Sequence, residues 1–210
     1  MKISRIALDL DDVCNEFTLH ALAAFGCDIK PDEFSKYKPE WSFDILKAAR
    51  ELDFRDRPQI TSEEFWETFD RDFWAGLPES AEFRELLGLT YDIVGLENTF
   101  ILTAPICGPA HETATADWCN ITAGCLAGKY NWIQDHLPPE MRNNFSMSPV
   151  KHLSAAPDAL LIDDSDSNVN AFRAAGGQAV VMPRPWNTHH GLTSAPMSWI
   201  YSELSKILQK

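Results

Sequence analysis

Positive charge is scarce in this chain. It carries 18 Lys and Arg against 31 Asp and Glu, a formal net charge of −13. So acidic a protein is not expected to hold a long nucleic-acid backbone or an anionic membrane, because both need a basic face. A small anion remains admissible where a metal ion or a few local cations neutralise it. Long apolar runs are missing too. The start, Met1-Lys2-Ile3-Ser4-Arg5, leads to aspartates, and no run reaches membrane-spanning length, so neither export nor membrane insertion is expected. The five cysteines (Cys14, Cys27, Cys107, Cys119, Cys125) are odd in number and contain no C-x-x-C. No disulfide framework or zinc site is signalled, and reduced thiols fit a cytoplasmic protein.

Several familiar motifs are absent or broken. There is no G-x-G-x-x-G and no G-x-S-x-G. Gly124 to Tyr130 imitates a P-loop, but three residues separate its glycines instead of four, and tyrosine stands where Ser or Thr should meet Mg²⁺. Asp164-Ser165-Asp166-Ser167-Asn168 opens like a calcium loop and fails at its sixth and twelfth positions, Val169 and Ala175. His189-His190 has no companion at metal-ligand spacing. It follows Pro183-Arg184-Pro185-Trp186-Asn187, which can shape the rim of a site but suggests no chemistry of its own.

What is present is an ordinary globular composition, 45% hydrophobic and 23% charged over 210 residues, enough for one core domain with a smaller insertion. Its organising stretch is Ile6 to Phe17. An apolar run, Ile6-Ala7-Leu8, enters three carboxylates, Asp9, Asp11 and Asp12. Residues i and i+2 of a strand share a face, so Asp9 and Asp11 can look into one site. Ionised carboxylates at a buried strand end cost several kcal/mol each unless a cation compensates them. Taken alone, the triplet is equally compatible with a solvated turn in which Asp12 caps a helix.

The remaining pattern alternates helix and strand. Phe17, Ala21, Ala24 and Phe25 predict a helix over 16–25 that stops at Gly26. Helical patterns follow over 41–52 and 62–74, in an aromatic-rich stretch that includes Trp41, Phe43, Phe54, Phe65, Trp66, Phe69, Phe73 and Trp74. Further helices are expected over 80–87, from Glu112 to Leu137, and over 168–175, with strands at 99–103, 159–162 and 178–182. Short continuous apolar strands between helices predict an α/β fold, a Rossmann-like parallel sheet with helices on both faces. The stretch 27–88 then forms a small helical cap inserted in a core of 1–26 and 89–210.

Open α/β sheets bind ligands at the carboxyl ends of their strands. Those ends carry Asp9 and Asp11, Thr103, and Asp163-Asp164, and Lys151 stands where it can reach the same edge. Carboxylates, a hydroxyl and an ammonium suit Mg²⁺ and a phosphate.

In this order the set resembles the haloacid-dehalogenase-like hydrolase superfamily. Its four motifs match Ile6 to Val13, Phe100-Ile101-Leu102-Thr103, Lys151, and Leu161-Ile162-Asp163-Asp164. A narrower likeness is to the 5'(3')-deoxyribonucleotidase family, carried by Asp-Val-Cys-Asn-Glu-Phe ending at Phe17, by Lys129-Tyr130-Asn131-Trp132-Ile133 and by Leu160 to Asp164. Asp12 replaces the glycine usual after the second aspartate.

The resemblance implies a Mg²⁺-dependent phosphomonoester hydrolase working through an aspartyl-phosphate, with a nucleoside monophosphate as substrate. Asp9 would be the nucleophile and Asp11 the general acid and base. Thr103 and Lys151 would hold the phosphate, and Phe17 would contact the substrate. Asp9, Asp11 through its backbone carbonyl, and Asp164, with Asp163 behind it, would form the metal site. The alternatives are a sugar-phosphate or small-metabolite phosphatase and a non-catalytic phosphate- or metal-binding module. A phosphate-sensing receiver domain gathers the same residue types in a different order. The expected partner is a small phosphorylated molecule, neither long nucleic acid nor membrane, and a homo-oligomer is compatible with the sequence.

Overall fold

Five short apolar segments become five parallel strands: β1 (Arg5–Leu8), β2 (Thr99–Thr103), β3 (Phe145–Met147), β4 (Ala159–Asp163) and β5 (Gln178–Val181). They form one sheet in the order β3-β2-β1-β4-β5 in this computed structural model, which describes residues 2–27, 29, 30, 33, 36–52, 61–108 and 115–209. Phe54 and the expected helix start at Glu112 lie outside the described residues. The expected α/β architecture is therefore present. Successive side chains point to opposite faces, and both faces are covered. Ile6, Leu8, Ile101, Leu160, Ile162 and Val180 belong to one core cluster. Ala7, Leu102, Leu161, Ala179 and Val181 belong to the other, together with Val169 and Phe172.

The helices are α1 (Phe17–Ala24), α2 (Ile45–Glu51), α3 (Ser62–Glu67), α4 (Arg71–Ala75), α5 (Phe83–Val94), α6 (Ala116–His136), α7 (Asp166–Ala174) and α8 (Pro196–Leu208). Local chemistry explains their bounds. Thr61 and Glu64 form a reciprocal capping box at the start of α3. The single helix expected over 62–74 is broken because Asp70 accepts a bond from the Phe73 N–H and starts a new one. The helix over 41–52 begins only at Ile45, where Asp44 caps it, and Trp41 sits in a preceding 3-10 turn. Ala24 faces solvent, so α1 buries Phe17, Thr18, Leu19, Ala21 and Leu22 instead of the expected stripe. Two elements were not anticipated. β3 is a three-residue edge strand of partly buried residues, too short for a periodicity. The buried Met197, Ile200 and Leu204 of α8 do follow helical spacing.

Register positions the chemistry. Leu8 lies level with Ile101 on one side and with Ile162 on the other. The residues just beyond these three emerge along one edge of the sheet.

Candidate active site

Asp9, Asp163 and Asp164 form a group in which one carboxylate oxygen of each lies within 4.8 Å of the others, and all three residues are buried. Burying a carboxylate carries an effective penalty of several kcal/mol, and the protonation equilibria register it. Burial, reinforced by Asp163 and Asp11 and opposed by Lys151, pushes the Asp9 carboxyl up to about 7. Burial and then the charges of Asp12, Asp163 and Asp9 lift Asp164 well above the usual carboxylate range. Lys151, 3% exposed, bridges Asp9 Oδ1 at 2.6 Å and Asp163 Oδ2 at 2.7 Å. Burial works against its charge, yet the two carboxylates outweigh this and raise it above the ordinary lysine value. Were all three carboxylates ionised, the one ammonium among them would leave negative charge uncompensated. A set of hard oxygens short of cationic charge fits Mg²⁺.

The two acids at the end of β4 are not equivalent. Asp163 accepts from the Ser165 N–H at Oδ1, from Lys151 at Oδ2 and from Asn168 Nδ2 at both oxygens. Both of its oxygens are engaged. Among the described residues, Asp164's carboxylate accepts a hydrogen bond at Oδ2 alone, from the Trp186 indole at 2.7 Å.

Asp11 turns elsewhere. Its carboxylate accepts from Asn15 Nδ2 and from Lys129 Nζ. Lys129, only 1% exposed, also donates to Thr103 Oγ1 at 3.1 Å and to the Ala104 carbonyl at 2.5 Å. Burial opposes its charge, but Asp11 beside it raises it above the usual lysine range. Asp11 and Thr103 are thus joined through a second lysine. The sequence signal for it is a lysine on an apolar helix face: Cys125, Trp132 and Ile133, four residues before and three and four after, are all buried.

Asp12 adopts a left-handed backbone, φ 58°, which glycine occupies at no steric cost. Its carboxylate stabilises this by accepting from the Thr18 N–H at 2.8 Å and the Thr18 hydroxyl at 2.6 Å. Arg184 Nε donates to the Asp12 carbonyl at 2.7 Å, and its Nη2 donates to Glu82 Oε2 at 2.9 Å.

Above the acids opens a cavity of about 220 Å³, with Asp9, Asp11, Lys151 and Asp164 at its floor and Phe17, Phe43 and Trp66 in its wall. Asp163, Thr103 and Lys129 stand behind this lining. Phe17 is both lining and core. It stacks on Trp74 at 4.7 Å and on Trp66 at 6.2 Å, and meets Phe69 and Phe73 edge-on.

No family model matches the sequence, and no curated protein matches it. Solved structures do. A conserved haloacid dehalogenase-like protein of unknown function from Agrobacterium tumefaciens is 10% identical, with 98% of this chain and 99% of that one covered and a TM-score of 0.51. A hydrolase from Streptococcus pneumoniae is 14% identical over 91% of this chain and 99% of that one, TM-score 0.46. A HAD-family enzyme from Bacteroides thetaiotaomicron, in complex with magnesium and inorganic phosphate, is 11% identical over 90% and 98%, TM-score 0.39. The first of these carries the comparison. Its end-to-end superposition shows that this chain shares the architecture of that protein, a parallel sheet covered by helices on both faces.

Proposed function

We propose that the chain is a Mg²⁺-dependent phosphomonoester hydrolase acting on nucleoside monophosphates. The observation that carries this reading is the convergence of Asp9, Asp11, Lys151 and Asp164 on the floor of one aromatic-walled cavity. Asp9 attacks phosphorus in line, forming an aspartyl-phosphate as the bond to the leaving oxygen breaks. Asp11 gives that oxygen a proton, then takes one from the water that attacks the acyl-phosphate. Inorganic phosphate leaves and Asp9 is restored. Lys151 offsets charge on the phosphoryl oxygens, while Thr103, expected beside it, stands behind the cavity lining and accepts from Lys129. Bound Mg²⁺ supplies Lewis-acid stabilisation of the same charge. Asp9 and Asp164 would hold the ion with the Asp11 carbonyl, a division that agrees with the engaged oxygens of Asp163 and with Asp11's carboxylate facing Lys129.

A cavity of about 220 Å³ is below the roughly 300–1,000 Å³ of pockets that enclose drug-sized ligands. The phosphate and sugar fill it, and the base stacks at its mouth on Trp66 and Phe43, with Phe17 behind. The helices between α1 and α5 act as the cap. That α5 packs on β1 and β2 supports counting it with the core in this reading, which draws the cap's end before Phe83 instead of at Gly88.

The test is phosphate release from nucleoside 5'- and 3'-monophosphates and from sugar phosphates, with Mg²⁺ or EDTA, alongside Asp9→Asn. Mg²⁺-dependent turnover that favours nucleotides and vanishes in Asp9→Asn supports the proposal. Turnover confined to sugar phosphates keeps the chemistry and rejects the nucleotide; no turnover from a folded, Mg²⁺-binding protein rejects catalysis.

A further inference from the structure

The loop after β5, Pro183-Arg184-Pro185-Trp186-Asn187, has no part in the chemistry above, yet it is buried along its whole length. Three of its side chains reach the two acidic loops. Arg184 holds the Asp12 carbonyl, as described, and Asn187 Nδ2 donates to the Asp164 carbonyl and to the Met182 carbonyl, both at 2.8 Å. The remaining contact is the one with consequence: the Trp186 indole N–H donates to Asp164 Oδ2 at 2.7 Å. On its other side the Trp186 ring meets residues of the insertion, Tyr37 at 5.4 Å and Phe43 at 5.8 Å between centroids. Phe43 is itself a wall of the cavity.

From this geometry we infer that Trp186 is the positioning residue of the acidic centre: its indole N–H holds the Asp164 carboxylate toward Asp9, and its ring ties that orientation to the seating of Tyr37 and Phe43. A carboxylate has two oxygens and a soft χ2 torsion. Held at Oδ2, the carboxylate keeps its other oxygen open to an ion and needs no further ordering when one arrives. An indole does this without adding a charge, whereas a lysine in the same place would offset the charge that the carboxylate offers an ion. The contact also makes the insertion sensitive to the ion. If an ion draws Asp164 forward, the indole follows, and the rings packed on it must adjust. Donors behind a metal's ligands typically change metal affinity or activity roughly 10- to 100-fold when removed.

The inference rests on the metal reading of the acidic centre, and the experiment separates the two. Mn²⁺ binding to the full chain is measured directly, by calorimetry and by the loss of free Mn²⁺ signal in electron paramagnetic resonance, for wild type, Trp186→Phe and Asp164→Asn. Phenylalanine keeps an aromatic ring against Tyr37 and Phe43 and removes only the donor. The expected result is a Mn²⁺ affinity roughly 10- to 100-fold weaker in Trp186→Phe, and none measurable in Asp164→Asn. A purely structural tryptophan would lower the melting temperature of the metal-free protein while leaving the affinity of the folded protein at the wild-type value; that outcome overturns the inference and spares the metal site. Wild type that binds no Mn²⁺ overturns both. Should Trp186→Phe not fold, wild type labelled with ¹⁵N-tryptophan decides. The indole signal that shows contacts to the Tyr37 and Phe43 ring protons shifts as Mg²⁺ is added, and a signal that stays fixed at saturating Mg²⁺ rejects the role.

Discussion

Lys129 shows how much one side chain can organise at this edge. It is buried, it bridges Asp11 and Thr103, and it lies 5.0 Å from the centroid of the Trp74 ring. Lys129→Met removes the partner that orients Asp11 while conserving an unbranched, apolar shape. Asp11's side chain is 21% exposed, so water partly replaces the lost contact. The stability cost is then about 1–3 kcal/mol, the price of an unmet buried hydrogen bond, rather than the larger penalty of a sealed charge. A urea midpoint reads it. If Asp11 is the acid and base, kcat falls by roughly 10²–10⁴ with KM little changed, and an unchanged kcat removes Lys129 from its support. Asp12 makes a complementary point. A left-handed residue that is not glycine normally signals strain, and here Thr18 supplies the hydrogen bonds that let an aspartate occupy it.

Among the elements, α4 and α6 pack tightly, and a glycine permits it. Gly124 and Gly128 are four apart and therefore share one face of α6. A β-carbon on Gly124 would lie 3.6 Å from the Arg71 nitrogen, an ordinary contact, whereas one on Gly128 would collide with Trp74 Cβ and the Arg71 carbonyl. The stretch that imitates a P-loop is a helix-packing surface. Gly128→Ala gains helix propensity of about 1 kcal/mol, and overpacking against backbone costs about 1–3 kcal/mol, so net destabilisation is expected by thermal denaturation. Because Trp74 stacks on Phe17 and Lys129 follows directly in α6, the same change should weaken substrate binding. Gly124→Ala, where space exists, serves as the control and should be neutral or stabilising.

At the scale of the whole molecule, the acidic centre sets how stability responds to pH and metal. Asp9, pushed up to about 7, and Asp164, also raised, both by burial first, keep protons in the folded state that an unfolded chain releases near pH 4. For Asp9 this contribution is fully present below about pH 4 and is lost as pH climbs through about 7, and the raised Asp164 acts in the same direction. Metal-free protein should therefore melt at a lower temperature at pH 7.5 than at pH 5.5. Mg²⁺ must displace those protons, so the rise in melting temperature it produces should be larger at pH 7.5. Equal rises at the two pH values, or the same pattern in Asp164→Asn, would contradict a metal centre built on these acids. No helix among the described residues is long and apolar enough to cross a membrane.

Residue order alone determined the parallel sheet and the list of acids, hydroxyl and lysine at its edge, because strand periodicity and strand-end chemistry are local properties read over a few residues. It also determined where α6 ends, before Pro138-Pro139, and where β2 lies. It offered the loop of Trp186 and Asn187 only as the rim of a site and Lys129 only within a likeness, and it gave none of their partners at that edge. Lys129 reaches Asp11 across 118 positions and Trp186 reaches Asp164 across 22, and no local pattern encodes such pairs. The strand pattern does not separate Asp163 from Asp164, since both follow the same strand, and only the resemblance put Asp164 first. What only the tertiary structure decided is which oxygens are already engaged: among the described residues Asp163 meets Lys151, Ser165 and Asn168, whereas Asp164 accepts from one indole. The physical reason is that a carboxylate's role depends on which of its lone pairs other donors already occupy, and this is fixed by packing between distant segments.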